Sequence, residues 1–360
     1  MSSEDRSLIA ITGANGTIGY ASVIYALEKG YRVRCIVRRD AVIHMIKNGP
    51  AVQPHLNRLE FSVVPDNTIS GAYDAAFRGA RYVVHIAGVW PKPNYHPDNE
   101  IYYPFVRSME NVLEAAEKAG TVNRIVFTQA GAALVNPDDG DTLGTKMENL
   151  LNESVQVNPV AASFKPPLPS PHHAYCGAKA YCMKRLKELQ ATHEKPFSIV
   201  QIIPGTVIGP SELVMSTSHA KEQMDRMSKA LLFDGPKPRY GFGFVHVEDC
   251  ARVHIEALNE EIPESCLPDW FVAASTSDQG KDGEAVWKAV GDMIALTFSS
   301  EIEQGLFSIG KDKMPINMPY RVDSTMTERM LLDGNPFRNL GQCVEAVGRW
   351  YLGLARGEKH

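Results

Sequence analysis

Residues 11–40 read ITGANGTIGYASVIYALEKGYRVRCIVRRD. Gly13, Gly16 and Gly19 form T-G-x-x-G-x-x-G between a short apolar run and an apolar helical pattern that Gly30 closes. In such a strand–turn–helix unit the first glycine permits the tight turn. The second lets backbone approach a pyrophosphate, and the third lets helix pack on strand. Free N–H groups at the positive end of the helix then meet the ligand's negative charge. The stretch continues through a second apolar strand, RVRCIV, and ends on Arg38 and Arg39. An NAD site usually places an acid about 20 residues past the glycines, on the ribose 2′-hydroxyl. A guanidinium there suits a 2′-phosphate in charge and fork geometry, so NADP(H) is favoured. The plainer alternative is that both arginines are solvated surface charges. Asp40 is left as either a helix N-cap or a ribose ligand.

The pattern continues outward. LEFSVV, YVVHIA, RIVFTQ and FSIVQII read as further apolar strands, and SMENVLEAAEKAG and AYCGAKAYCMKRLKELQATHE as helices. Strands alternating with helices predict a doubly wound parallel sheet, a Rossmann α/β fold, and continuous apolar strands fit a sheet covered on both faces. Asn136–Ala174 reads as a long loop with one short helix, the length of connection that usually carries function. Helices near KEQMDRMSKALL, VEDCARVHIEAL, GEAVWKAVGDMI and NLGQCVEAVGRWYLGLA follow. The expected division is 1–209 as an NADP-binding Rossmann domain, with about 240–260, around Phe244, returning to its sheet. Residues 210–360 form a smaller C-terminal substrate lobe.

Composition bounds the function. The 360 residues carry a net charge of −5, with 44% hydrophobic and 22% charged residues. Neither nucleic acid nor an anionic membrane is expected as a bulk partner. The six cysteines show no C-x-x-C pair and are read as reduced thiols. The start, MSSEDRSLIAITG, is not read as a secretory signal, the end, ARGEKH, is not read as an address, and no apolar run suggests a membrane span. A cytoplasmic monomer or homodimer is expected. No metal site is expected: His172 and His173 lack a clustered Cys, Asp or Glu at ligand spacing.

Tyr175 and Lys179 lie four residues apart on a predicted helix, hence on one face. An ammonium beside a phenol favours the phenolate and lowers its pKa toward working pH. Tyr175 is therefore the candidate proton donor to an alkoxide, and Lys179 a candidate to hold the cofactor ribose as well. His173 is a candidate substrate contact. Trp90, Tyr95, Tyr102 and Tyr103, beyond the fourth strand, are candidates for an aromatic pocket or plain packing. His246 is read as structural or at a pocket rim.

The segments TGANGTIG, VRCIVRR, VPDN, VVHIAG, ENVLEAA, RIVFT, YCGAK, IIPGTVIGP and FVHVEDCARVHIEAL together resemble an extended short-chain dehydrogenase/reductase of the NAD(P)-dependent epimerase/dehydratase superfamily. The resemblance runs from residue 9 to about 258, nearest the dihydroflavonol reductase, cinnamoyl-CoA reductase and yeast-type aldehyde/ketone reductase branch. It implies NADP(H) held at Gly13, Asn15, Gly16, Thr17, Ile18 and Gly19. It places Asp66 near the adenine, Ala87 and Gly88 along the cofactor, and Pro204 and Thr206 near the nicotinamide. It also implies a Tyr–Lys pair assisted by a hydroxyl at the end of the fifth strand. There the chain departs: Thr128-Gln129-Ala130 stands where the family has T-S-S. Ala130 cannot donate. Thr128 lies on the same strand face but roughly 7 Å back; Gln129, Ser163 and Ser170 are the other candidate donors.

Three functions follow from this reading. The first is NADPH-dependent reduction of an aldehyde or ketone, such as a bulky secondary-metabolite intermediate. The second is epimerase, dehydratase or isomerase chemistry without net redox. The third is a non-catalytic dinucleotide sensor.

Overall fold

The computed structural model describes residues 7–139, 151–192, 194–238, 243–276, 283–310, 312–313 and 322–357. Its strands are β1 (Leu8–Thr12), β2 (Arg32–Val37), β3 (Leu59–Val63), β4 (Tyr82–His85), β5 (Arg124–Thr128), β6 (Ser198–Pro204), β7 (Thr206–Ile208), β8 (Phe244–His246) and β9 (Phe271–Ala273). Seven form one sheet in the order β3-β2-β1-β4-β5-β6-β9. The first six pair in parallel. Reversal of the winding beside β1, the strand that feeds the glycine turn, gives the Rossmann-like α/β arrangement predicted from the alternation.

The helices are α1 (Thr17–Glu28), α2 (Ile43–Lys47), α3 (Tyr103–Ala119), α4 (Pro159–Ser163), α5 (Pro171–Thr192), α6 (Thr217–Gln223), α7 (Arg226–Phe233), α8 (Val247–Glu256), α9 (Gly283–Thr297), α10 (Ser299–Glu303), α11 (Thr325–Leu331) and α12 (Leu340–Arg356). The chain divides into two compact units. One comprises Met1–Thr142, Glu153–Ile203 and Ala251–Phe271; the other comprises Leu143–Asn152, Pro204–Cys250 and Val272–His360.

The first unit holds the sheet from β3 to β6. Every residue of β1 and β4 is buried, as continuous apolar strands between helical layers require. One face of its core joins Val83 and Ile125 to Met109 and Val112 of α3 and Ala178 and Leu186 of α5. At the other end of the strands Arg124 is buried, donating to Ser198 Oγ at 2.7 Å and to the carbonyls of Asn259 and Ile262. The second unit packs Leu231, Trp287, Phe298, Val344 and Tyr351. Its last long helix, α12, opens on a reciprocal cap between Asn339 and Gln342.

Two expectations are corrected. The strand around Phe244 does not return to the main sheet: β8 pairs with β7 in a separate two-stranded sheet. The segment KEQMDRMSKALL is two helices rather than one. Asp225 turns extended after α6 and accepts from the Met227 and Ser228 amides, capping α7. In the loop 136–174, α4 is the expected short helix, while residues 140–150 lie outside the described residues.

Candidate active site

The glycine turn is built as the sequence demands. Gly13 has φ +68°, and a Cβ there would meet the Ala87 backbone at 3.1 Å. A Cβ on Gly19 would sit 2.0 Å from the Gly13 carbonyl oxygen, so the third glycine is what lets α1 close on the turn. Asn15, Gly16 and Thr17 are exposed and Ile18 half-buried. Among the described residues no side chain caps α1, and its first turn carries no acid. The N–H groups at its start are thus left for an outside acceptor, an arrangement that fits a pyrophosphate.

Arg38 and Arg39 are exposed beyond β2 and make no side-chain hydrogen bond to any described residue. Asp40 opens a 3₁₀ turn whose cap position is Arg39, so Asp40 is not the N-cap. Asp66 is exposed, and its Oδ1 accepts from the Thr68 amide at 2.8 Å and the Thr68 hydroxyl at 2.7 Å. Those bonds, with Arg38 and Arg107 assisting, hold its carboxyl below the usual range. Ala87 lies against Gly13. Gly88 faces Phe105, whose ring edge a Cβ would approach to 2.7 Å. Pro204 closes β6 and Thr206 opens β7, both grouped with the second unit; the Thr206 amide donates to the Gly243 carbonyl.

Tyr175 and Lys179 stand one turn apart on α5, both half-buried. The Tyr175 ring packs 5.5 Å from that of Phe105 and 6.2 Å from that of Trp90, measured between centroids. Lys179 Nζ donates to the Thr128 carbonyl at 3.0 Å and lies 4.6 Å from the Phe105 ring centre. Burial lowers its pKa to about 8. Burial also pushes the Tyr175 hydroxyl up, with the neighbouring Cys176 adding to the rise. Protein neighbours alone therefore do not produce the lowered tyrosine pKa expected from the spacing, because the ammonium is drawn to the strand end.

The candidate replacement donors are committed elsewhere. Thr128 Oγ1 is 2.9 Å from His254 Nε2. Gln129 is buried and donates to Gln201 Oε1 at 2.8 Å. Ser163 Oγ donates to the Val160 carbonyl at 2.7 Å. Ser170 Oγ is 2.7 Å from His173 Nδ1, while His173 Nε2 reaches Asp138 Oδ1 at 2.7 Å. Ser170 also accepts from the His173 amide, so this chain caps α5 and ties its start to Asp138 in the short 3₁₀ turn Pro137–Asp139. His173 is thus engaged at both ring nitrogens. Ala130 has extended backbone and leads directly into a 3₁₀ turn, Gly131–Leu134.

Of the four aromatic candidates only Trp90 is in ring contact with Tyr175, and it is 70% exposed. Tyr102 is buried against Tyr103 and Tyr181, and Tyr95 packs at the core's edge. In the second unit His246 is buried, bonded by Arg338 at Nδ1, and its pKa is lowered to about 4.

The glycine turn thus leads into an uncapped helix, and Lys179, on the same helix as Tyr175, bonds the last residue of β5. The family model for the NAD dependent epimerase/dehydratase family matches residues 9–266. The chain belongs to this family. Among curated relatives, the ketoreductase sphI of Aspergillus fumigatus is 28% identical over 300 residues, 81% of this chain and 84% of that protein. The NAD-dependent epimerase/dehydratase ALT6 of Alternaria alternata is 28% identical over 275 residues, 71% of this chain and 74% of that one. Among solved structures, yeast methylglyoxal/isovaleraldehyde reductase Gre2 complexed with NADPH aligns with a TM-score of 0.71 at 19% identity, over 97% of this chain and 99% of that one. These likenesses agree with the fold. Sequence reasoning missed His85, which binds Thr12 beneath the turn. A histidine inside an otherwise apolar buried strand was its signal.

Proposed function

We propose that the protein is an NADPH-dependent reductase of an aldehyde or ketone. The observation that carries this is the geometry around Lys179, held by the Thr128 carbonyl with Tyr175 one turn away on the same helix. When bound, NADPH supplies the hydride. The glycine turn and the start of α1 hold the pyrophosphate, and Arg38, assisted by Arg39, pairs with the 2′-phosphate. Tyr175 gives its phenolic proton to the developing alkoxide. Lys179 would donate to the cofactor ribose and supplies positive charge on the face of α5 that carries Tyr175, a charge that favours the phenolate. The exposed Trp90 beside Tyr175 suits a bulky apolar or aromatic substrate. The first unit then serves as the NADP-binding domain and the second as the substrate lobe, in a cytoplasmic monomer or homodimer.

The missing hydroxyl at Ala130 supports a second reading, cofactor-assisted isomerisation or dehydration without net redox. One positioned oxyanion donor contributes ~3 kcal/mol to a transition state, and none of the four sequence candidates is free to replace it. NADPH absorbance and product analysis across a carbonyl panel separate the two. Reduction gives one alcohol per NADPH consumed; the second reading gives a rearranged product with no net change in the cofactor, which starts and ends oxidised.

A further inference from the structure

His85 ends β4 directly opposite Thr12, the last residue of β1. Both are buried. Thr12 Oγ1 accepts from the Ile86 and Ala87 amides, each at 3.1 Å. Its single hydrogen is therefore left for His85 Nδ1 at 2.9 Å. The ring's proton must then be on Nε2, which faces Ser108 Oγ of α3 at 3.4 Å. Ser108 also accepts from Asn67 Nδ2 at 2.9 Å and lies 3.5 Å from the Tyr73 hydroxyl. Asn111, on the same helix, donates to the Asn67 and Ile69 carbonyls at 2.8 and 2.9 Å. One unbroken chain of bonds thus runs from the residue before Gly13, through His85, to the loop that carries Asp66.

We propose that His85 is a positioning residue that latches the glycine turn to the Asp66 loop and so pre-orders two sides of the cofactor site. The consequence for cofactor rests on the dinucleotide reading above; the latch itself does not. Burial lowers the imidazole pKa to about 3, with the Lys179 charge acting in the same direction, so the latch stays neutral in ordinary buffers. Fixing both segments before binding removes ordering cost from the binding step, a gain in affinity rather than in chemistry.

The test uses His85→Leu, which removes both bonds, and His85→Gln, which keeps one acceptor and one donor; Thr12→Val breaks the chain from the other end. Hydrogen exchange on the free protein is read over residues 12–19, 64–70 and, as a control, 124–128. His85→Leu is expected to speed exchange about tenfold in both 12–19 and 64–70, with the control unchanged, and His85→Gln to restore most of the protection. Fluorescence titration is then expected to show NADPH and adenosine 2′,5′-bisphosphate binding about tenfold more weakly in His85→Leu, with kcat at saturating NADPH within twofold of wild type. If His85→Leu does not fold, Thr12→Val carries the same expectation. Exchange that rises at only one segment, or equally in the control, overturns the latch. If exchange rises as expected but the wild-type protein binds neither NADPH nor NADH, the latch stands and the cofactor reading falls.

Discussion

Lys179 Nζ donates to the carbonyl oxygen of Thr128 across 3.0 Å, so the cation of α5 is tied to the last residue of β5. The bond fixes where that positive charge sits, at the end of β5 and 4.6 Å from the Phe105 ring centre. It also puts a cation in surroundings dry enough to bring its pKa to about 8. The first expectation follows from this cost.

Lys179→Met should stabilise the free protein while disabling it. A lysine whose folded pKa lies below its unfolded value of 10.5 destabilises the fold most below about pH 8, and the penalty is relieved as pH rises toward 10.5. Removing the charge at pH 7 is expected to raise unfolding free energy by about 1–3 kcal/mol. Calorimetry at pH 7 and pH 10 should show a gain that shrinks at the higher pH. Cofactor affinity and turnover should both fall.

Arg38→Ala should separate the two nicotinamide cofactors. The exposed guanidinium has no hydrogen bond to a described residue, so its removal breaks no hydrogen bond among them and takes away a distant charge assisting Asp66. Loss of a charged hydrogen bond to the 2′-phosphate should weaken NADPH by about 1.5–3 kcal/mol. NADH, which lacks that phosphate, should bind nearly as before. Equal weakening of both in titration calorimetry would remove Arg38 from this role.

Glu260 should contribute acid-sensitive stability. Its carboxylate accepts from Arg81 at 2.9 and 3.1 Å, Tyr82 at 2.6 Å and Asn123 at 3.2 Å. Arg81 above all, then Tyr82 and Asn123, lower its pKa to about 2. A depressed carboxylate stabilises the fold above its unfolded value of 4.5, and that share is lost as pH falls toward 2. The group is about one-third exposed, so Glu260→Gln is expected to cost only ~1 kcal/mol at pH 7. Urea unfolding of the variant and wild type should converge as pH nears 2.

Ala130→Ser distinguishes a reductase that lacks one donor from a site shaped for other chemistry. If Tyr175 protonates a carbonyl oxygen here, a hydroxyl at the end of the β5 segment should contact the same oxygen. Reduction of simple aldehydes should then rise by up to tenfold, about 1.4 kcal/mol. A hydroxyl left against apolar substrate would instead lower native turnover. Rates on both a generic aldehyde and the native substrate check it, and loss on both with intact cofactor affinity would oppose plain reduction.

Much of the first unit was legible because its signals are local. The apolar runs at β1, β2, β5 and β6 and the glycines of the turn carry their own geometry, and a Tyr and Lys four apart on a helix must share a face. What escaped depends on partners distant in sequence. Two-residue alternation put Thr128 on the donor's face, yet its hydroxyl is taken by His254, 126 positions away. Gln129 was a possible donor until Gln201 drew its amide into the core. The strand at Phe244 was recognisable as a strand, but its pairing with β7 rather than the main sheet is a tertiary choice. His85 stood in plain view within YVVHIA, but its bond to Thr12 depends on the register of two strands 73 residues apart.

The most direct measurement is single-turnover oxidation of bound NADPH by an accepted carbonyl substrate, comparing wild type with Tyr175→Phe. The substitution removes one hydroxyl for which the described residues provide no side-chain hydrogen bond, so NADPH should still bind within about threefold. Wild type should oxidise bound NADPH to NADP+ while reducing the carbonyl to its alcohol one for one, and Tyr175→Phe should slow that step by at least the ~10²-fold expected for a general acid. Turnover by Tyr175→Phe close to the wild-type rate, or a wild-type product formed with NADPH untouched, would contradict a reductase that uses Tyr175 as its acid.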